Sequence, residues 1–461
     1  MAITTRYFST VPAGTGDGSS WANRAILCDT VKNVTVSAWS AAFTIGETAT
    51  QAVSGATGLV GYGPGSGTVF SLYGITGSPN TTGIWTGGTS LSTTTPNTSA
   101  PAAGWCGYLT QFAFNSTDSL LALIGPGTHT YAATLQASSF PNAPSVANPL
   151  IAHGCNSSGN ALTPPSAGWT ADQPVWDDSG YPVIASTGNF GINLPNSVLR
   201  HVKITASGRN AAVFAPSSGN FWMDWVTLYQ STSNANAIGI TLSTNKITNV
   251  YIYMSGTAYQ CGLNNDTGGN YINNLRVRGN LSASSGNRNG IEKGGTSGHD
   301  AFSRMCLFNH VGIGFSVVDT NTAMSYSISR SVIVNNTGDG IKGASTASQT
   351  LQLVLDRCFV TGNGGYQLNF QAAGNVVLAN SRLDTRGGGS GNINTSLLNY
   401  PVNLDVYTTA DTDANEYVDA TSTFDFRIKN SASNVWGKGY GVSDQAAAAG
   451  GGGLVSEGHV G

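Results

Sequence analysis

A short pattern of apolar positions recurs through the middle of the chain. Between residues 198 and 385, two apolar or small residues repeatedly stand two positions apart, as expected on a strand with one buried face. These pairs are Val202/Ile204, Val226/Leu228, Val250/Ile252, Leu275/Val277, Met305/Leu307, Ser331/Ile333, Cys358/Val360 and Ser381/Leu383. Their second members follow one another at steps of 24, 24, 25, 30, 26, 27 and 23 residues. Nearly constant steps indicate a solenoid with one coil per repeat, and the step of 30 marks an insertion within 282–300.

Two more short strands accompany the paired positions in most coils. One follows a Gly or Asn turn, as at Ile238–Ile240, and another precedes the pair, as at Leu351–Leu355. Three strands per coil of about 25 residues predict an all-β protein, a right-handed parallel β-helix with three faces. A leucine-rich repeat would need a fixed Leu/Asn consensus, and a propeller would need antiparallel blades of about 40 residues.

Stacked coils bring equivalent residues into columns about 4.8 Å apart. Three residues beyond the second paired position stand Asn280, His310, Asn336 and Asn363 in consecutive coils. Asn accepts a left-handed backbone and bonds its neighbours above and below, so this column predicts a ladder that stabilises a turn. His310 is interpreted as a structural substitute within the ladder.

Composition agrees with a β-rich solenoid. Only 9% of the residues are charged, against about 25% in typical soluble proteins, which excludes a bundle of solvated helices. Net charge is −3, so we expect neither nucleic-acid binding nor an anionic-membrane surface. The six cysteines are scattered singly and are interpreted as reduced core residues rather than disulfides or zinc ligands: Cys28, Cys106, Cys155, Cys261, Cys306 and Cys358.

The first ten residues, MAITTRYFST, lack the apolar core of a secretory signal, and no apolar run of roughly 18 residues is present. Membrane insertion is therefore not expected. Such a chain fits a product of the host cytoplasm that is released by lysis, although secretion without a cleaved signal is an alternative.

Four segments are predicted from these patterns. Residues 1–27 form an opening segment, 28–103 an inserted β module, 104–400 the parallel β-helix, and 401–461 a C-terminal cap with a Gly-rich tail. Arg6–Thr10 followed by Gly14–Ala22 resembles the opening of pectate-lyase-like β-helix proteins. Residues 43–60, with a Gly46-Glu47 turn and an SGATG turn, resemble a small β module of tailed-phage structural proteins. The alternative is that this segment is a surface β-hairpin insertion that says nothing about the protein's lineage.

The phage resemblance raises the question of polysaccharide cleavage, because β-helices in phages are often tailspikes. Glycoside hydrolysis needs two carboxylates about 5–9.5 Å apart. Asp224 and Asp356 share a column position but lie five coils apart, roughly 24 Å at the coil spacing. The closer candidates are Glu292, His299, Asp300, Asp319, Asp339 and the loop pair Asp177-Asp178. Three clustered acids, which calcium-dependent lyase chemistry requires, are not visible, so no catalytic residue, metal or cofactor is assigned.

One column of stacked residues is a candidate binding site. Arg304, Arg330 and Arg357 each immediately precede a paired position in three successive coils. Stacked like charges repel, so we expect these arginines to meet an anionic glycan or the carboxylates of a neighbouring subunit. Solvated arginines lying over the sheet are the alternative. Five aromatic residues are a second candidate strip for sugar stacking or subunit packing: Trp222, Trp225, Tyr229, Tyr251 and Tyr253.

These observations favour a non-enzymatic structural protein on the surface of a bacteriophage particle. The resemblance implies a homotrimeric capsid decoration or cement protein, with the major capsid protein or other virion proteins as partners and host surface polysaccharide as a further contact. The alternative is a tailspike or tail fibre that binds or depolymerises host polysaccharide. A bacterial polysaccharide lyase of the same fold is a third reading. If the protein is an enzyme, we expect a polysaccharide hydrolase or lyase.

Overall fold

The structure is a computed structural model. It describes residues 3–27, 32–96, 119–131, 135–136, 144–164, 178–186, 192–193, 196–206, 213–215, 220–231, 238–240, 245–256, 261–265, 268–283, 288–294, 298–317, 324–343, 351–370, 374–384, 391–395, 405–407, 417–419 and 425–428. Within these ranges the chain is built of β-strands, with one 3-10 turn at Trp21–Asn23 as its single helical element.

Most strands belong to a parallel β-helix with three faces. Face A is formed by Ile3–Ser9, Ala25–Ile26, Ser119–Ile124, Leu150–Gly154, the first halves of Ser197–Ala206, Phe221–Gln230, Lys246–Met254 and Tyr271–Arg278, then Gly298–Ser303, Met324–Ser329, Leu351–Asp356 and Gly374–Ala379. Face B is formed by Thr128–Tyr131, Val183–Ser186, the second halves of those four long strands, Cys306–Phe308, Val332–Val334, Phe359–Thr361, Arg382–Asp384 and Asp405–Tyr407. Face C is formed by Val213–Ala215, Ile238–Ile240, Cys261–Asn265, Asn289–Lys293, Phe315–Val317, Ile341–Lys342, Tyr366–Phe370 and Gly391–Thr395. Leu135–Gln136 and Ile192–Asn193 form a separate parallel pair.

The strand registers confirm the repeat that the sequence predicted. Val202 lies opposite Val226, which lies opposite Val250. Leu307 lies between Val277 and Ile333, so the 30-residue step contains an insertion that leaves the stacking intact. The paired positions point inward and form one continuous apolar core along the helix. Alternation within each strand therefore sets which side chains are buried.

The amide ladder is present from His310 to Asn363, with two corrections. Asn280, predicted as its first member, instead donates through Nδ2 to the carbonyl of Ser255 at 2.9 Å. The backbone N–H of His310 donates to Asn336 Oδ1 at 3.0 Å, and that of Asn336 donates to Asn363 Oδ1 at 3.1 Å. His310 Nε2 lies 3.1 Å from the carbonyl of Val277, the contact that Asn363 Nδ2 makes with Ile333 at 3.2 Å. His310 thus fills an asparagine position and is fully buried. The left-handed residues, however, stand one position earlier, at Asn309, Asn335 and Gly362.

A second, antiparallel structure lies within the segment 28–103. Six strands close into a small barrel: Lys32–Trp39, Thr48–Gln51, Thr57–Tyr62, Val69–Thr76, Trp85–Gly87 and Thr93–Pro96. The barrel has its own apolar core around Phe43, Phe70 and Trp85. Tyr62 and Tyr73 of the barrel pack against the core cluster of the β-helix.

Glu47, in the predicted Gly46-Glu47 turn, fastens two turns of the barrel together. Its carboxylate accepts hydrogen bonds from the backbone N–H groups of Thr44, Thr89 and Ser90 at 2.7, 2.8 and 2.8 Å, and from Ser90 Oγ at 2.5 Å. Desolvation raises the pKa of this carboxyl, but the hydrogen bonds from Ser90, Thr89 and Thr44 outweigh it, so the net pKa is lowered. Glu47 is therefore a structural acid.

The chain continues the β-helix across the barrel insertion. Strand Ile3–Ser9 pairs in parallel with Ser119–Ile124, so residues more than a hundred positions apart occupy adjacent coils. At the other end, within the predicted C-terminal cap, Asp425–Ile428 pairs antiparallel with Tyr417–Asp419. The predicted Gly-rich tail lies outside the described residues.

Four of the cysteines are free and buried, as predicted: Cys155, Cys261, Cys306 and Cys358. Burial raises the pKa of Cys155 and of Cys358 to about 12, so these thiols stay protonated at neutral pH. Cys28 and Cys106 lie outside the described residues.

Candidate functional site

Faces A and B meet at a corner where one residue in each of eight successive coils has a left-handed backbone. The flanking registers align these residues vertically, and we call them the corner column. Its members, with φ between 47° and 58°, are His201, Trp225, Asn249, Asn274, Arg304, Arg330, Arg357 and Asn380. The three predicted arginines therefore occupy a turn rather than a regular strand position. Sequence reasoning found their registry but missed the backbone conformation.

The arginine backbones are fixed while their side chains lie at the surface. The N–H groups of Arg304, Arg330 and Arg357 donate to carbonyls of the next coil at 3.0, 2.9 and 3.0 Å. All three residues are half-buried, and Arg357 Nε lies 4.0 Å from the carboxylate of Asp356, with both side chains 41% exposed. An ion pair of that exposure contributes little stability.

Asparagines in the same column form a ladder that arginine cannot extend. Asn274 Nδ2 donates to Asn249 Oδ1 at 2.8 Å, and Asn249 Nδ2 donates to Asp224 Oδ1 at 2.8 Å. Asn380 Nδ2 donates to Asp356 Oδ1 at 3.2 Å. A guanidinium group can donate hydrogen bonds but cannot accept them. The three successive arginines therefore interrupt this chain of side-chain hydrogen bonds between coils.

The N-terminal end of the corner column, at His201 and Trp225, contains an aromatic stack that sequence reasoning missed. The His201 ring is stacked 6.2 Å from Trp225 and 4.9 Å from His153, at interplanar angles of 8° and 11°. His153 Nε2 lies 2.8 Å from the carbonyl of Leu162 and 2.9 Å from His201 Nδ1. Since a carbonyl only accepts, the proton of His153 sits on Nε2, which donates to Leu162 O.

This stack contains neutral imidazoles. Burial lowers the pKa of His201 to about 4, with a further contribution from His153 and Arg200. Burial also lowers the pKa of His153. The two histidines are 48 residues apart in sequence, so only the strand register could have revealed the contact.

Asp300, a candidate acid of the long coil, is part of the interior. It is fully buried, and its carboxylate lies 3.1 Å from Lys293 Nζ, whose side chain is 1% exposed. The Asp300 carboxylate also accepts from the N–H of Asn270 at 2.8 Å and from Asn265 Nδ2 at 3.2 Å. A carboxylate held in this way cannot reach a substrate on the outer surface.

The other described candidates also make contacts within the fold. Asp339 accepts from the N–H of Tyr366 at 2.7 Å and from Asn369 Nδ2 at 2.8 Å. Glu292 accepts from Asn289 Nδ2 at 3.1 Å, and Asp178 lies 3.3 Å from Lys203 Nζ. The registers separate Asp224 from Asp356 by five coils, as the sequence predicted. His299 is exposed and contacts Ser325 Oγ at 2.8 Å. Asp177 and Asp319 lie outside the described residues.

The five aromatic residues do not form one exposed strip. Trp225 is only 8% exposed, and the other four are half-buried. Trp222, on face A, has the guanidinium of Arg200 4.3 Å above its ring and donates through Nε1 to Thr248 Oγ1 at 3.1 Å. Tyr229 and Tyr253 contact each other on face B. One indole face is therefore already occupied by a cation.

Within the described ranges, no group of three His, Cys, Asp or Glu side chains is arranged to hold a metal ion. Among these same residues, no helix is long and apolar enough to cross a membrane.

Comparison with known proteins gives weak likenesses only. No protein-family model matches the sequence, and comparison with curated proteins gives no match. The periplasmic alginate epimerase AlgG is similar at 11% identity and a TM-score of 0.25, over 63% of this chain and 76% of that chain. The catalytic domain of a GH87 alpha-1,3-glucanase in complex with nigerose is similar at 10% identity and a TM-score of 0.28, over 83% of this chain and 89% of that chain. At these values the likenesses carry no argument about activity, and the chain's own strand registers establish its parallel β-helix fold.

Proposed function

We propose that this chain is a non-enzymatic structural protein on the surface of a bacteriophage particle, a homotrimeric decoration or cement protein of the capsid. The phage lineage rests on the resemblance of the inserted module, residues 43–60, to a small β module of tailed-phage structural proteins. The structural role rests on the contacts that the acidic side chains make within the fold. Each described carboxylate that was a catalytic candidate is hydrogen-bonded or ion-paired within the fold.

The main support for this proposal comes from the contacts of Asp300. A polysaccharide hydrolase needs one carboxyl poised as an acid and a second one nearby, both open to the sugar. Here Asp300, the acid of the long coil, neutralises a buried lysine, and Asp339 accepts hydrogen bonds from two donors of the next coil. A rigid prism whose acids serve its own folding suits a protein that reinforces a shell.

Copy number in purified particles tests the proposal. Quantitative mass spectrometry of particles produced by the genome that encodes the chain should find scores of trimers per particle. A handful of copies would assign the chain to the tail instead, and its absence from particles would refute the virion assignment. New reducing ends or unsaturated uronate after incubation with host polysaccharide would overturn the non-enzymatic part.

A further inference from the structure

A lysine, an asparagine and an aspartate meet in the interior of the β-helix beside the long coil. Asn265 and Lys293 end neighbouring strands of face C and lie directly opposite each other in the parallel register. Asn265, Lys293 and Asp300 are each at most 1% exposed. Val317, the next member of the same column, belongs to the apolar core. The three polar groups are shielded from bulk solvent, so their chemistry is confined to one another.

One oxygen of Asp300 faces both the lysine and the asparagine. Asp300 Oδ2 lies 3.1 Å from Lys293 Nζ and accepts a hydrogen bond from Asn265 Nδ2 at 3.2 Å. Lys293 Nζ lies 3.5 Å from Asn265 Oδ1, the oxygen bonded to the carbonyl carbon of that amide. Asp300 Oδ1 accepts from the backbone N–H and from Nδ2 of Asn270 at 2.8 and 3.3 Å. The carboxylate is thus held with Oδ2 between the amine and the amide nitrogen.

Asn270 also contacts the amide of Asn265. Its Nδ2 donates to Asn265 Oδ1 at 3.1 Å. A fixed donor aimed at a carbonyl oxygen stabilises the negative charge that develops there when a nucleophile adds to the carbonyl carbon. Exclusion of water strengthens such an interaction. The site therefore places a nucleophile, an acid–base group and an oxyanion donor around one amide.

We infer that Lys293 and Asn265 form an intramolecular isopeptide bond. Asp300 Oδ2 takes a proton from the Lys293 ammonium group, and the resulting amine adds to the carbonyl carbon of Asn265. Asp300 delivers a proton to Nδ2, the bond from the carbonyl carbon to Nδ2 breaks, and ammonia leaves with the remaining proton as ammonium. One C–N bond forms and one breaks, nothing is oxidised or reduced, and Asp300 ends as a carboxylate.

The folded chain supplies everything that this reaction needs. Groups held in contact react as if at very high concentration, because the entropy of bringing them together was lost on folding. The bond joins two adjacent coils and closes the chain between Asn265 and Lys293, so it restricts the unfolded chain as a disulfide does. It forms once, within one molecule and without a partner. The inference therefore does not depend on the proposed function.

Mass spectrometry of the full-length protein tests the inference. The wild-type chain should be lighter than its sequence predicts by one molecule of ammonia. After denaturation and digestion with trypsin, cleavage after Lys293 should be blocked, and residues 247–276 should be recovered joined to residues 289–304. Lys203, which lies 3.3 Å from Asp178 in a partly exposed ion pair, is the internal control and should be cleaved in the same digest.

Two variants test the role of the carboxylate. D300N keeps the amine and the amide but removes the acid–base group, so it should have its full sequence mass and be cleaved after Lys293. D178N makes the same change in the other ion pair and should keep the bond. Circular dichroism checks that both variants fold, and the wild-type digest decides the existence of the bond even if D300N does not.

Four results would overturn the inference. They are a wild-type chain at its full sequence mass, loss of water instead of ammonia, cleavage after Lys293 despite loss of ammonia, and an intact cross-link in D300N. Loss of water would identify Asp300 itself as the group joined to Lys293.

Discussion

Buried polar residues do much to specify this fold, and His310 illustrates how. Its ring sits in the asparagine ladder, fully buried, with Nε2 donating to Val277 O. Burial lowers the pKa of His310 to about 4, and the hydrogen bond only partly opposes that effect. On acidification, the His310 ring of the unfolded chain therefore takes up a proton near pH 6.5, whereas the same ring in the folded chain takes it up only near pH 4.

Acid should consequently destabilise the protein. Between pH 7 and pH 5, the loss of unfolding free energy from one such histidine is about 2 kcal/mol. The variant H310N should remove about that much of the pH dependence, because Asn fills the same rung at Asn336 and Asn363. Urea midpoints measured at the two pH values check this. H299N, the same substitution at an exposed position, is the control for the substitution itself.

The buried ion pair gives a second prediction at the same scale. Replacing Lys293 with Met leaves the Asp300 carboxylate buried and without its 3.1 Å cationic partner, which should cost about 3–5 kcal/mol of unfolding free energy. The double variant K293M/D300N removes the uncompensated charge and should recover a large part of that loss. Equal urea midpoints for the single and double variants would show that the unpaired Asp300 charge does not cause the loss of unfolding free energy.

At the scale of elements, close coil stacking depends on a column of glycines at face C. Gly290, Gly314 and Gly340 align through the registers of the strands that follow them. A Cβ at Gly314 would lie 2.4 Å from Ile333 Cγ2 and 2.8 Å from the carbonyl of Gly340. The backbone of the next coil cannot move away without disturbing its own hydrogen bonds.

The substitution G314A should therefore strain the stack. We expect a loss of about 1–3 kcal/mol, the usual cost of overpacking a core. The control G180A introduces a methyl group with nothing within 4 Å and should change the thermal midpoint little. Comparable midpoints for the two variants would contradict the proposed close packing at face C.

The elements also show how far sequence reasoning reaches. The paired apolar positions predicted the coils correctly, because alternation and a constant step depend on local side chains and on stacking alone. The strand Cys261–Asn265 was missed, although Cys261 and Leu263 are a buried apolar pair, because glycine and two asparagines make up the rest of its five residues and are typical of turns. The left-handed corner was missed as well, because its column mixes His and Asn with Trp and Arg, and Trp and Arg do not commonly signal positive φ.

At the scale of the whole molecule, contacts across large sequence distances were beyond prediction. No local pattern brings Asn265 to Asp300 across 35 residues, or His153 to His201 across 48 residues. The same holds for the first strand, which joins Ser119–Ile124 beyond the inserted barrel. The contacts of Asp300 with Asn270 and of Asp339 with Asn369 likewise follow from the stacking of the coils and not from any local sequence pattern.

A reconstruction of the particle by cryo-electron microscopy tests the central claim most directly. The account predicts three-faced prisms of stacked coils, clustered in threes at symmetry-related positions on the capsid and missing from particles that lack the gene. Particles whose capsids carry no such density, or that show it at the tail alone, would contradict a decoration role.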